Sequence, residues 1–153
     1  MVPDEFHYSK ESLTIKMAFT GTETIANLAI KPNGTYIDCT AGFGGHSSLI
    51  LNQLTNGKLI CLDQDPQAIK HLKEKFKTNK NVTVIQTNFS RLDEVITSKA
   101  DGIVFDLGVS SLMFDDPKRG FSYKLNGPLD MRMNPNSSLS AYAIINTYTR
   151  EQL

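Results

Sequence analysis

The chain has no excess of charge: sixteen Lys and Arg residues balance sixteen Asp and Glu residues. Global electrostatics therefore give no evidence for a nucleic-acid partner, although a local patch would be enough to hold one. Cysteine is scarce. Cys39 and Cys61 form no Cys-x-x-Cys pair, and both sit inside apolar, strand-like runs. That pattern reads as two buried reduced thiols rather than a disulfide or metal ligands. Histidine is scarce as well. His7, His46 and His71 have no ligand spacing, so no metal is expected. Nothing approaches the ~18 consecutive apolar residues that would span a membrane. The polar start, Met1 to His7, has no apolar signal region. These absences point to a cytoplasmic, reduced protein. Its 153 residues suit one domain and can bury a real core.

The apolar pattern alternates between strand and helix. Residues 1–16 have no firm period. Thr22 to Leu28 reads as a short helix that stops before Pro32-Asn-Gly34, and Thr35 to Thr40 as a first strand. His46 to Leu54 carries a helical stripe, Asn56-Gly57 turns the chain, and Lys58 to Asp63 is a second strand. Pro66 suits a first helical turn, and Ala68, Ile69, Leu72 and Phe76 share one face. Val82 to Thr87 is a third strand, Arg91 to Ile96 a short helix, and Asp101 to Leu107 a fourth strand. Strand, helix, strand at this spacing implies an α/β fold with a parallel, Rossmann-like sheet and right-handed crossovers. The nearly continuous apolar runs fit a sheet covered on both faces. Residues 112–137 read as one long loop, which is usually functional or disordered. Ser138 to Tyr148 is helical again. Thr149-Arg-Glu-Gln152 matches a capping box, a helix start with one residue behind it, as expected of a truncated chain.

Three strand ends carry chemistry. Tyr36-Ile-Asp-Cys-Thr40 runs into Gly42, Gly44, Gly45 and His46, where open α/β sheets hold nucleotide-like cofactors. A tight turn with no ligand would use the same glycines. The Gly-x-Gly-x-x-Gly fingerprint of a dinucleotide site fails at its last step, because Ser47 stands there. This opposes a nucleotide-dependent oxidoreductase. Asp63 ends the second strand nineteen residues beyond Gly44 and can accept hydrogen bonds from two ribose hydroxyls. That serves NAD and S-adenosylmethionine alike. Asp65, before Pro66, reads as a helix N-cap. Phe89 could pack on an adenine face or simply cover the sheet end. Asp106 begins Asp106-Leu-Gly-Val-Ser-Ser111, where the reacting end of a cofactor should lie. A carboxylate there can align an exocyclic amine for methylation. His46 reads as a cofactor-shell or structural hydrogen-bonding group. Lys70, Lys73, Lys75, Lys77 and Lys80 read as a solvated helix face. Lys118, Arg119 and Arg132, near Phe121, Tyr123 and Met131, could receive a flipped base.

At these residues the chain resembles the bacterial ribosomal RNA small subunit methyltransferase H family, also called MraW. The matching stretches include Gly44-Gly-His-Ser47, Asp63-Gln-Asp-Pro66, Asp106 to Ser111, Arg119-Gly-Phe-Ser122 and Gly127-Pro-Leu-Asp-Met-Arg-Met133. The last three are far more specific than a glycine loop. The resemblance implies a class I methyltransferase fold using S-adenosylmethionine. It also implies N4-methylation of a cytidine in the decoding region of 16S rRNA, within the small ribosomal subunit. Gly44, Gly45, His46, Asp63, Phe89 and Asp106 carry over as cofactor positions, with no assigned catalytic base. The resemblance divides the chain into an unplaced segment, 1–21, and the N-terminal part of a methyltransferase domain, 22–153. Two departures stand out. Met113 occupies the place of a family glutamine, and the family's later strands, inserted helical domain and His-Ser-Leu-Glu-Asp-Arg segment are absent. The alternative expectation is a truncated, non-catalytic remnant.

Overall fold

The computed structural model describes residues 21–153; the unplaced N-terminal segment, with His7, lies almost wholly outside them. Helix α1 (Gly21–Leu28) leads in, and Ala29, at φ 48°, takes the left-handed conformation that ends it. Four strands follow: β1 (Thr35–Asp38), β2 (Lys58–Asp63), β3 (Val82–Gln86) and β4 (Gly102–Val104). They form one parallel sheet in the order β3-β2-β1-β4. The order reverses at β1, so the carboxyl ends of β1 and β4 flank the crevice where such sheets bind ligands.

Side chains alternate across the sheet with the two-residue period of a strand. Tyr36, Leu59, Cys61 and Val104 face a core shared with α1, α2 (Gly45–Leu51) and α3 (Pro66–Lys75). Ile37, Leu62 and Ile103 face the other side, covered by Leu92 and Val95 of the short α4 (Leu92–Val95). Ile50, Leu59, Leu62 and Leu72 are completely buried. Each such side chain contributes about 1.5–3 kcal/mol by leaving water. Asp101 ties the start of β4 to β1, accepting from Thr35 N–H at 2.9 Å and Lys31 Nζ at 3.1 Å. These two bonds, Thr35 first, hold its carboxyl below the usual carboxylate range.

Several boundaries differ from the sequence reading. β4 is only three residues long, because it pairs solely with Tyr36–Asp38 of β1. Asp106 therefore lies two residues past its end. The expected long loop contains α5 (Ser111–Asp115) and a 3₁₀ turn at Pro117–Arg119. Helix α6 (Ala141–Thr147) starts later than expected, because Ser140 caps it by accepting from Ala143 N–H. At the chain end, Gln152 Oε1 accepts from Thr149 N–H at 2.9 Å, one arm of the expected capping box. Among the described residues no helix is long and apolar enough to cross a membrane.

Candidate functional site

A cavity of about 1070 Å³ opens at the carboxyl ends of the strands. Every candidate cofactor residue but Gly44 lines it: Gly45, His46, Asp63, Phe89 and Asp106. Gly44 shapes the floor from behind. Its φ of 77° is a conformation that L side chains avoid, and a Cβ there would lie 3.1 Å from Leu72 and 3.2 Å from Phe76. Lys75 completes this turn. Its ammonium donates to the carbonyls of Phe43 and Gly44, both at 3.0 Å. The solvated-face reading of the lysine run is therefore corrected at Lys75. The last turn of α3 packs directly behind the glycines and brings that side chain to them.

Asp63 stands at the end of β2 with its carboxylate already oriented. Oδ2 accepts from Gly42 N–H at 2.7 Å and Oδ1 from Asp65 N–H at 2.9 Å. An ionised carboxylate has about four acceptor sites, so one on each oxygen is left for a ligand. Across the cavity, His46 Nδ1 lies 3.6 Å from Asp106 Oδ2. Asp106 is itself positioned by its N–H, which donates to Thr40 Oγ1 at 2.7 Å. His46 Nε2 is buried and has no hydrogen-bond partner among the described residues. Its other ring nitrogen, Nδ1, is the one that faces Asp106. Phe89 opens a 3₁₀ turn after β3 and meets Phe105 edge-on, with centroids 5.5 Å apart. Met113 is buried in the cavity wall.

Ser47, where a dinucleotide site would want glycine, is wholly buried and donates to Asp38 Oδ2 at 2.6 Å. Asp38 is buried too. Burial above all pushes its carboxyl upward, partly offset by the Ser47 hydroxyl, His46 and the Thr40 N–H. A group raised in the folded state favours the fold fully below its ordinary value, ~4. That contribution is lost as pH climbs through the raised value. An asparagine side chain in its place would copy the protonated form, keeping an acceptor for Thr40 N–H. Asp38→Asn is thus expected to remove a fall in melting temperature above about pH 4. Melts of both proteins across pH, compared as a difference curve, check this. Identical pH profiles would show that Asp38 carries no such penalty. Burial also pushes the Cys39 and Cys61 thiols up to about 12. Both are free, buried and uncharged at neutral pH, as the sequence predicts.

The basic loop differs from expectation. Arg119 is buried and donates to Asp65 Oδ2 at 2.8 Å and to the carbonyls of Arg132 and Met133 at 3.0 and 2.9 Å. Arg132 forks onto Asp130, donating from both Nε and NH2. Each guanidinium already has a carboxylate partner, Arg119 with Asp65 and Arg132 with Asp130. Asp65 is the predicted N-cap, accepting from Gln67 N–H at 2.9 Å. Its ion pair with Arg119 was missed, since no local spacing links residues 54 positions apart.

A parallel sheet reversing at β1, a glycine turn after β1, and carboxylates at the end of β2 and two residues beyond β4 mark the class I methyltransferase fold, the class that uses S-adenosylmethionine. Solved structures share this fold. A Streptococcus mutans protein in complex with SAH matches with a TM-score of 0.51 at 24% identity, over 62% of this chain and 56% of that one. The C-terminal domain of precorrin-6Y C5,15-methyltransferase from Rhodobacter capsulatus matches with a TM-score of 0.51 at 16% identity, over 62% and 52%. The model of the MraW methylase family matches residues 17–153, and the chain belongs to that family. It is 53% identical over 136 residues to ribosomal RNA small subunit methyltransferase H of Ureaplasma parvum, covering 86% of this chain and 44% of that protein. The protein of the same name from Clostridium botulinum is 51% identical over the same spans. The chain therefore covers less than half the length of these relatives.

Proposed function

We propose that this chain is the cofactor-binding, N-terminal part of an S-adenosylmethionine-dependent rRNA methyltransferase. The observation that carries the reading is that two carboxylates, Asp63 and Asp106, line one cavity together with the glycine turn, Asp63 bonded directly to Gly42 N–H. The residues present fit the cofactor. Asp63 has acceptor sites left for ribose hydroxyls, and a Cβ at Gly45 would meet nothing within 4 Å. Gly44, Gly45, His46, Asp63, Phe89 and Asp106 would hold it. When bound, S-adenosylmethionine supplies an electrophilic methyl group on a sulfonium.

The chain's own residues would bind and orient. Asp63 would fix the ribose, and Phe89 would cover the adenine end. Asp106 would accept a hydrogen bond from the exocyclic amine and align its nitrogen, with His46 beside it. The acceptor proposed is N4 of a cytidine in the decoding region of 16S rRNA, within the small ribosomal subunit. This rests on the relatives' name and on the strand-end motif Asp106 to Ser111. Residues 22–153 would form part of the methyltransferase domain, working in the cytoplasm where ribosomes are.

The test is transfer of labelled methyl groups from S-adenosylmethionine to unmethylated small subunits, with N4-methylcytidine read by mass spectrometry. Transfer is expected from a protein as long as the relatives and lost, by about a hundredfold or more, in Asp106→Ala. Undiminished transfer in that variant would refute the role of Asp106. The alternative is a non-catalytic remnant that binds cofactor weakly or not at all. Absence of saturable S-adenosylmethionine binding by the folded 153-residue chain would select it.

A further inference from the structure

Among the described residues, Arg119 is the one arginine with its side chain buried against a buried carboxylate. Its ion pair joins two segments that frame the cavity. One is the turn after β2, where Asp63 Oδ1 accepts from Asp65 N–H and Asp65 Oδ2 receives Arg119. The other is residues 130–133. Arg119 donates to the carbonyls of Arg132 and Met133, and its own carbonyl accepts from Met131 N–H at 3.0 Å. Met133 lines the cavity. Met131 does not, and its φ of 56° is unusual for a residue with a side chain. Such a backbone persists only when its surroundings hold it. Here the surroundings include three hydrogen bonds made with a single arginine, beside the bonds of Arg132 N–H and its guanidinium to the Asp130 carboxylate.

We propose that Arg119 is a positioning residue that locks the Met133 wall of the cavity to the Asp63–Asp65 turn. Cofactor bound at Asp63 and order in residues 130–133 then rise together, so the acceptor side is shaped once the donor side is filled. This rests on the proposed cofactor role of Asp63. The fork explains the choice of residue: a guanidinium reaches one carboxylate and two carbonyls at once, whereas an ammonium cannot match that planar geometry.

The test follows amide hydrogen exchange at Met131 in the 153-residue chain by NMR. Two variants separate strut from scaffold. Arg119→Lys keeps the charge and loses the fork. Asp65→Asn keeps the helix cap, because its amide oxygen still accepts from Gln67 N–H, but turns an NH₂ toward Arg119. Without cofactor, each variant is expected to speed Met131 exchange about fivefold or more, and the double variant to add little. Adding S-adenosylmethionine is expected to slow that amide about fivefold in the wild type and not in Arg119→Lys. Wild-type exchange rates at Met131 in Asp65→Asn would overturn the strut. Cofactor that binds the wild type without slowing Met131 would overturn the coupling. Absence of cofactor binding to the wild type would refute the cofactor reading instead, and the cofactor-free comparison would still decide the strut.

Discussion

Asp63→Ala is expected to abolish saturable S-adenosylmethionine binding, weakening it at least about a hundredfold. The carboxylate would lose its hydrogen bonds to the ribose, each charge-assisted and contributing about 1.5–3 kcal/mol. Two such bonds exceed the ~2.7 kcal/mol that a hundredfold represents. Alanine also frees the N–H groups of Gly42 and Asp65, which now donate to the two carboxylate oxygens. The glycine turn loses its anchor to β2 along with the ligand contact. Asp63→Asn separates the two effects. One acceptor oxygen can still hold Gly42, so the loss should be intermediate. Calorimetric titration of all three proteins, with melting temperatures recorded beside it, gives the answer. Alanine binding as tightly as the wild type would remove Asp63 from the site.

The second large effect is a contrast between neighbours. Gly44→Ala is expected to cost about 2 kcal/mol of stability. A left-handed backbone costs an L residue roughly 1–2 kcal/mol, and the new methyl would press on Leu72 and Phe76 at 3.1–3.2 Å. Gly45→Ala should cost no stability. Gly45 opens α2 with no positive φ, and its Cβ would enter open space. Alanine there even gains some helix propensity, up to ~1 kcal/mol. Yet Gly45 lines the cavity, so its methyl would take volume from the cofactor and lower affinity about tenfold or more. Urea unfolding and calorimetry on both variants read the two axes apart. A stability loss at Gly45 would mean that its glycine is required by the protein, and unchanged affinity there would mean that the ligand does not need it.

Much of this architecture was legible before any coordinates. The four strands, their parallel pairing and the helices between them follow from apolar runs broken by Gly, Pro and Asn. Asp65 as an N-cap followed from Asp-Pro, since a short acidic side chain before proline is suited to the first free N–H groups of a helix. The cavity residues were legible because this class of sheet puts its chemistry at strand ends, and strand ends can be found by pattern. What failed was length and partnership. The fourth strand was drawn too long because Phe105 and Leu107 extend its apolar run, while pairing stops at Val104. The loop after β4 looked structureless because its helical pieces are three to five residues long, too short to establish a period.

The sequence by itself determined the local conformations: which runs become strands, where glycine lets the chain turn, and which carboxylates stand at strand ends. Each depends on residues within a few positions of one another, so spacing carries the information. Only the tertiary structure decided which charges are free. Lys75 looked like one lysine in a solvated run and holds the glycine turn. Arg119 and Arg132 looked like open cations beside the site, and each is committed to a carboxylate. An ion's role depends on what it meets after desolvation, and Asp65 reaches Arg119 only when β2 and the loop after β4 are folded against the same sheet.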